Sequence, residues 1–498
     1  MCIVCLTLKD RPSAAAQLQI HAALLAPVKP VQGTYIAPIS QSAINAVADQ
    51  LVHGYWASHG QTWGKFAVAP GSAISVDISG LTTAGQATAL LALDSWAMAT
   101  GLKFKTTAVA GTSAQITIDD AFAGAFATRD MTANVIQSAK VNVAANWTET
   151  YGTGIGSYSL QTFVHEIGHA LGLGHAGNYN SAANYSRQAI VAQDSWQISA
   201  MSYFSQVQNP TTGASYAFLT GPMQADIQAI QSLYGAMAPV HTGNTIYGIG
   251  ANGGMVQAQI GAMMADGTLD RPISFVIVDN GGYDSLNFST DLKKQSINLS
   301  PGAVSGIYGL VGNLMIERNS VIEQVLAGHG DDLILGNAAA NRLFGNNGND
   351  VIYGGYGDDQ LTGGIGNDRL YGGAGQNTLN GGAGSDRLTS TTGTDSMTGG
   401  AGNDVFVFSG IQLGQVGRRD VIEDFGSGFD KIDLSLLGPA GLQFTIAKGL
   451  AFTAAQQLVL VTLDGGTLIR GEVTGDRIAD FEIFVRQNPH LTTTDFLL

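Results

Sequence analysis

The sequence predicts an α+β domain followed by an all-β parallel β-roll with a β-rich C-terminal cap. Two observations carry this expectation. The first is the stretch His165-Glu166-Ile167-Gly168-His169-Ala170-Leu171-Gly172-Leu173-Gly174-His175. On a helix His165 and His169 stand one turn apart on one face, and Glu166 projects beside them. Gly172 can take the positive φ of a sharp turn and so end the helix, which brings His175 back toward the other two imidazoles. The second observation is a run of nine nine-residue units in unbroken register from Ala327 to Val407. Their eighth position is Ile334, Leu343, Ile352, Leu361, Leu370, Leu379, Leu388, Met397 and Phe406. A column of this kind must point inward along stacked parallel strands, whereas a flexible glycine-rich linker would carry no apolar residue at fixed spacing.

The remaining elements follow in chain order. Ser40 is suited to cap a helix on which Ile44, Val47, Leu51 and Tyr55 recur at helical spacing. A second helix covers roughly Thr83 to Thr100, with Leu90, Leu93 and Trp96 on its buried face. Alternation near Ala73 to Ile78 and Ala114 to Asp119 reads as strands. Beyond Ser199-Ala200-Met201-Ser202-Tyr203, a last helix runs from Pro222 towards Gly235, and a boundary falls near Pro239.

Length and composition agree with a large secreted protein. A chain of 498 residues can bury several cores. Glycine is abundant at 66, and the acidic excess, a formal charge of −15, argues against nucleic acid or an anionic membrane as partner and suits cation binding. No apolar run spans a bilayer, and Cys2 to Leu8 is too short and lacks the basic flank of a Sec signal. The only cysteines are Cys2 and Cys5, so no disulfide can staple the body of the chain.

Three neutral imidazoles with a carboxylate beside them point to zinc hydrolysis. They leave one position for water and keep the ion Lewis acidic, so that water ionises near pH ~7 rather than ~16. Glu166 would take its proton during attack on a peptide carbonyl and pass it to the leaving amine. The third histidine and the Met201 turn match the metzincin signature, and over nearly its whole length the chain resembles the serralysin family of secreted bacterial zinc proteases. The resemblance implies a metzincin catalytic domain, Tyr203 as a fifth, displaceable zinc ligand that stabilises the oxyanion, and Met201 as the apolar floor of the site. It also implies that Gly124, Ala125, Phe126 and Ala127 form the edge strand that pairs with substrate; an ordinary loop is the alternative. One departure is Ala176-Gly177-Asn178-Tyr179-Asn180, where relatives carry Pro-Gly-Asp-Tyr-Asn.

The nonapeptides match the calcium-binding RTX repeat. Glycines such as Gly345, Gly363 and Gly381 permit turns whose carbonyls face an ion, and a sixth-position carboxylate supplies a hard oxygen. If units two apart stack, one edge carries Asp332, Asp350, Asp368, Asp386 and Asp404. The other carries Asn341, Asp359, Asn377 and Asp395, and is the poorer ladder because an amide gives an ion less charge. Asp279, Gly281 and Asp284 would provide part of a further ion pocket. Carboxylates that repel one another without calcium should keep the roll unfolded in a bacterial cytoplasm and let it fold outside. The ending Thr494-Asp495-Phe496-Leu497-Leu498 resembles that of family members exported by type I secretion; its apolar residues could also dock on a core.

The organisation expected is a prosegment over 1–39, a protease domain over 40–238, a linker and first strands over 239–326, the roll over 327–407, and a cap with secretion signal over 408–498. Cys2 or Cys5 could ligate the zinc in a latent form, be incidental thiols in a tail, or form a redox pair. The expected protein is a monomeric secreted endopeptidase with one catalytic Zn2+ and several structural Ca2+. Its partners would be protein or peptide substrates, the type I secretion apparatus and a proteinaceous inhibitor, with no membrane span. The rivals are a calcium-folded surface or scaffold protein with a silent metzincin domain, and a processing peptidase of narrow specificity.

Overall fold

The computed structural model describes residues 38–69, 71–180, 182–235, 238–409, 419–437, 444–447, 449–487 and 490–498. Cys2, Cys5 and nearly all of the expected prosegment lie outside them. The chain divides into two compact units: one reaches to Gly282 and takes in Pro301–Ser320, and the other comprises Tyr283–Ser300 and Val321–Leu498.

The first unit is built on a mixed sheet. Strands β1 (Lys65–Phe66), β2 (Ala73–Gly80), β3 (Lys103–Thr107), β4 (Ile116–Asp119) and β6 (Val135–Val143) pair in parallel in the order β1-β6-β4-β2-β3. Strand β5 (Ala125–Thr132) runs antiparallel to β6 and, among the described residues, pairs with β6 alone. The strands expected from alternation are β2 and β4, and β5 takes in Ala125 to Ala127 of the stretch expected as an edge strand; β1, β3 and β6 are additions.

Ser40 caps the first helix by accepting from the backbone N–H of Ala43, and the chain stays helical from Gln41 to Ser58 through a π-turn at Gln50–Gly54. A π-turn rotates the side chains that follow it, and here Tyr55 and Trp56 are turned into the interior. The helix Thr83–Thr100 is capped by Thr82 and stopped by Gly101 at φ 74°. Its buried face needs correcting: Leu91, Leu93 and Trp96 are buried, whereas Leu90 is only partly so. Several elements pack around this helix, so no single stripe defines its inner face. The helix Tyr158–Ala170 packs on β5, β6 and Thr83–Thr100 and is buried throughout. Helices Gln224–Tyr234 and Met255–Ala265 complete the unit.

The second unit is the roll. All nine eighth-position side chains are buried to within 1 % exposure, and strands pair in parallel with partners eighteen residues apart, such as Ile334 with Ile352 and Leu343 with Leu361. Two parallel sheets result, each made of alternate units. The stack outruns the repeats at both ends. Ser285–Asn287, Ser296–Asn298 and Gln324–Leu326 pair ahead of them, while Asp420–Ile422 and Lys431–Asp433 continue the two sheets beyond Phe408. One sheet ends in the antiparallel hairpin Gln457–Leu463 and Gly466–Glu472 with Phe481–Arg486, and on the other Phe496–Leu497 pairs with Ile432 and Asp433.

Candidate functional site

Tyr158–Ala170 presents His165, Glu166 and His169 inside the first unit, where they are 5 %, 0 % and 1 % exposed. The helix gives out at Leu171, and Gly172, at φ 115°, turns the chain with its α-carbon against the Gly64 carbonyl, where a side chain would not fit. Leu173 and Gly174 then bring His175 back. Gly174 donates its N–H to the Leu51 carbonyl and lies against Tyr55, whose ring meets His175 edge-on at 4.9 Å.

The three imidazoles converge on one point. Nε2 of His169 is 3.1 Å from Nε2 of His165 and 3.0 Å from Nε2 of His175, and the ligand atoms of all three lie within 4.8 Å of one another. Nδ1 of His165 faces the Ala200 carbonyl at 2.7 Å and Nδ1 of His169 faces that of Leu173 at 2.8 Å. A carbonyl accepts, so each Nδ1 carries the proton and each of those Nε2 atoms presents a lone pair. Burial pushes all three imidazoles below their ordinary pKa, His169 to about 4, and so keeps them neutral. Converging lone pairs in a buried place are held together best by a cation, and this donor set fits a metal ion.

The turn at Ser199–Tyr203 is tied down by a residue to which the sequence reading gave no role. Asp226 accepts from Ser199 Oγ at 2.6 Å and from the backbone N–H groups of Ala200 at 2.7 Å and Met223 at 2.8 Å. It thereby sets the carbonyl that orients His165. Met201 is buried and its sulfur lies under Gly168, where there is room for no side chain. Tyr203 is 3 % exposed, with its ring 4.6 Å from that of His175 and 6.2 Å from that of His165. At the start of β5, Gly124 stands at φ 85° with its carbonyl taken by Asn142 Nδ2 and the Ala144 N–H; Ala125 and Ala127 are buried and Phe126 half-buried.

The second unit holds a set of carboxylates of another kind. Along one edge each backbone N–H donates to Oδ1 of the aspartate eighteen residues on: Asp332 to Asp350, Asp350 to Asp368 and Asp368 to Asp386 at 2.8 Å, then Asp386 to Asp404 at 2.9 Å. The other edge runs Asn341, Asp359, Asn377, Asp395 in the same way. Both ladders end on residues outside the repeat, Asp430 and Asp420. Oδ2 of Asp350, Asp359, Asp368, Asp386, Asp395 and Asp404 is buried and accepts no hydrogen bond. Beside Asp350, Asp368 and Asp386 lie Gly345, Gly363 and Gly381, at each of which a Cβ would run into that oxygen. Orphaned buried carboxylate oxygens backed by bare glycine suit a hard cation.

Burial, aided by neighbouring carboxylates, pushes Asp350 up to about 8, Asp332, Asp359 and Asp395 to about 7, and Asp368, Asp386 and Asp404 to about 6. In the unfolded chain these groups ionise near pH ~4. Without a cation the folded roll therefore binds protons that the unfolded chain releases, so its stability is greatest below about pH 4 and falls as pH rises toward about 8. Circular dichroism without calcium should show more roll at pH ~5 than at pH ~8; no difference between the two would mean that these carboxyls titrate normally, and the reverse order would mean that burial does not raise them.

Of the residues expected to form part of a further ion pocket, Asp279 and Gly281 belong to the first unit and Asp284 to the second. In the first, Asp279 accepts from Tyr247 OH at 2.8 Å and from the Gly281 N–H at 3.0 Å. In the second, the backbone N–H of buried Asp284 donates to Glu323.

Comparisons with known proteins match both parts of the chain. The family profile described as "Peptidase M10 serralysin C terminal" matches residues 236–498, and that of "Peptidase M66" matches residues 112–245. "Metallopeptidase AprA" of Pseudomonas marginalis is 40% identical over 189 residues, 37% of this chain and 38% of that protein. "Serralysin C" of Dickeya chrysanthemi is 39% identical over 183 residues, 36% of each chain, and "Serralysin" of Proteus mirabilis is 38% identical over 187 residues, 37% of this chain and 36% of the other. The alignments thus span well under half of these relatives. Among solved structures, the AlgE6R2 subunit of an Azotobacter vinelandii mannuronan C5-epimerase overlaps 33% of this chain and 91% of its own at 26% identity and a TM-score of 0.22. With the serralysin profile covering more than half of its length, the chain belongs to the serralysin family.

Proposed function

We propose that the protein is a secreted zinc-dependent endopeptidase of metzincin type whose roll folds around calcium. The observation that carries this reading is the convergence of three buried, neutral imidazole nitrogens beside buried Glu166 on one helix. A bound zinc ion supplies Lewis acidity, bringing the pKa of water down toward ~7 and polarising a carbonyl. His165, His169 and His175 would hold it, with the tautomers of His165 and His169 set by the Ala200 and Leu173 carbonyls. Glu166 takes the proton of the attacking water and delivers it to the departing amine. The Tyr203 phenol donates to the developing oxyanion, and Met201 closes the floor. The open edge of β5 bonds an extended peptide through its backbone, which gives affinity with little sequence preference.

The ladder aspartates hold calcium, coupling folding to an ion plentiful outside the cell and scarce within it. Among the described residues no helix is long and apolar enough to cross a membrane, and export by a type I apparatus fits a chain that folds only after release.

Casein should be hydrolysed by the full chain, hydrolysis should stop when a zinc-selective chelator is added at fixed calcium, and it should return with zinc. A protein inert in all three conditions would be the silent scaffold instead. If Cys2 or Cys5 confers latency, the Cys2→Ser/Cys5→Ser double variant should be more active than the unsubstituted full chain; equal activity would remove cysteine ligation from the account.

A further inference from the structure

Tyr203 shares a triangle of rings with His175 and Tyr179. It lies 4.6 Å from His175 and 4.7 Å from Tyr179, tilted by 34° to the latter, and Tyr179 is 5.7 Å from His175. Tyr179 is itself held. Its hydroxyl donates to the carboxylate of Asp194, 3.0 and 3.1 Å from the two oxygens, and its ring is backed edge-on by Phe204 at 5.2 Å. Asp194 is fully buried and also accepts from Ser202 Oγ at 2.6 Å, so one carboxylate grips both the wall behind Tyr203 and the residue preceding it. The Tyr203 backbone N–H points to the Tyr179 hydroxyl at 3.4 Å. A carboxylate buried on two hydroxyls costs desolvation that an apolar residue would not, yet the histidines require nothing of Asp194 directly.

We propose that Asp194 and Tyr179 are positioning residues for Tyr203. Asp194 locks the Tyr179 phenol, and the locked ring limits the swing of Tyr203, so that its hydroxyl is presented to the histidine centre at one angle. This rests on the reading of the three histidines as metal ligands and of Tyr203 as the phenol that reaches them.

The test uses the full chain with calcium, loaded with copper(II) in place of zinc, because a phenolate near copper gives a charge-transfer band that reports its position. The band should be present in the unsubstituted protein and absent in Tyr203→Phe. In Tyr179→Phe, and independently in Asp194→Asn, it should weaken or shift while copper content stays at one per chain. In the zinc form kcat should fall about tenfold with KM nearly unchanged, a part of the ~10²–10³ lost with a whole oxyanion donor. The Tyr179→Phe/Tyr203→Phe double variant should be no slower than Tyr203→Phe alone, since Tyr179→Phe keeps the ring against His175 and removes only the hydroxyl that serves Tyr203.

A band present but unmoved in both variants, or losses that multiply in the double variant, would overturn the positioning role alone. No band in the unsubstituted protein would overturn the ligand reading of Tyr203 and this inference with it. Loss of metal or of near-UV dichroism in both Tyr179→Phe and Asp194→Asn would assign the pair to the scaffold instead.

Discussion

Glu166→Ala should bind zinc as the unsubstituted chain does and hydrolyse casein on the order of 10²–10⁴-fold more slowly. The proposed ligands are His165, His169 and His175, and the Nδ1 contacts of His165 and His169 to the Ala200 and Leu173 carbonyls do not involve Glu166, so the metal centre should survive the change. What is lost is a buried carboxylate able to accept a proton beside that centre. Metal analysis and initial rates on one preparation would settle the point, and turnover near that of the unsubstituted protein would remove Glu166 from the mechanism. Tyr203→Phe should be milder, costing one oxyanion donor, on the order of 3 kcal/mol of barrier.

The second large effect is expected in the roll. Asp350→Ala or Asp368→Ala should raise the calcium midpoint for folding by at least about tenfold, the lower range for losing even an outer partner of a bound metal, and by more than Asp395→Ala does. Asp350 has an aspartate on each side in its ladder, Asp332 and Asp368. Each substitution there strips a carboxylate from two neighbouring levels. Asp395 has Asn377 on one side, whose Nδ2 is buried without a partner; an N–H donor in that place opposes a cation. Calcium titrations followed by circular dichroism separate the two cases. Equal shifts would mean that the two edges bind calcium alike despite the amides.

Much of this was legible because it is local or periodic. The spacing of His165, Glu166, His169 and His175 lies within a helix and one turn, and short-range geometry dictates where such side chains point. The eighth-position column and the two aspartate edges follow from a repeat of nine, and the pairing of units two apart appears as partners eighteen residues distant. The extent of helix Thr83–Thr100 agrees with the sequence reading, but Leu90 is only partly buried, since burial depends on how many neighbours a helix acquires. Met255–Ala265 went unread because apolar residues are spread around it, and Met255 remains 47 % exposed.

The sequence by itself determined the kinds of chemistry available: imidazoles at metal spacing, a carboxylate beside them, and a ladder of hard oxygens, each specified by contacts a few residues apart or by exact repetition. Only the tertiary structure decided what holds these groups in place. Asp226 reaches back to Ser199, Asp194 joins Tyr179 to Ser202, and Asp430 and Asp420 terminate ladders to whose repeat they do not belong. Apart from Ser202, eight residues from Asp194, the partners are 15 to 27 residues apart with no fixed spacing. A buried carboxylate is satisfied by whichever donors packing brings to it, and packing, unlike periodicity, is a property of the whole folded chain.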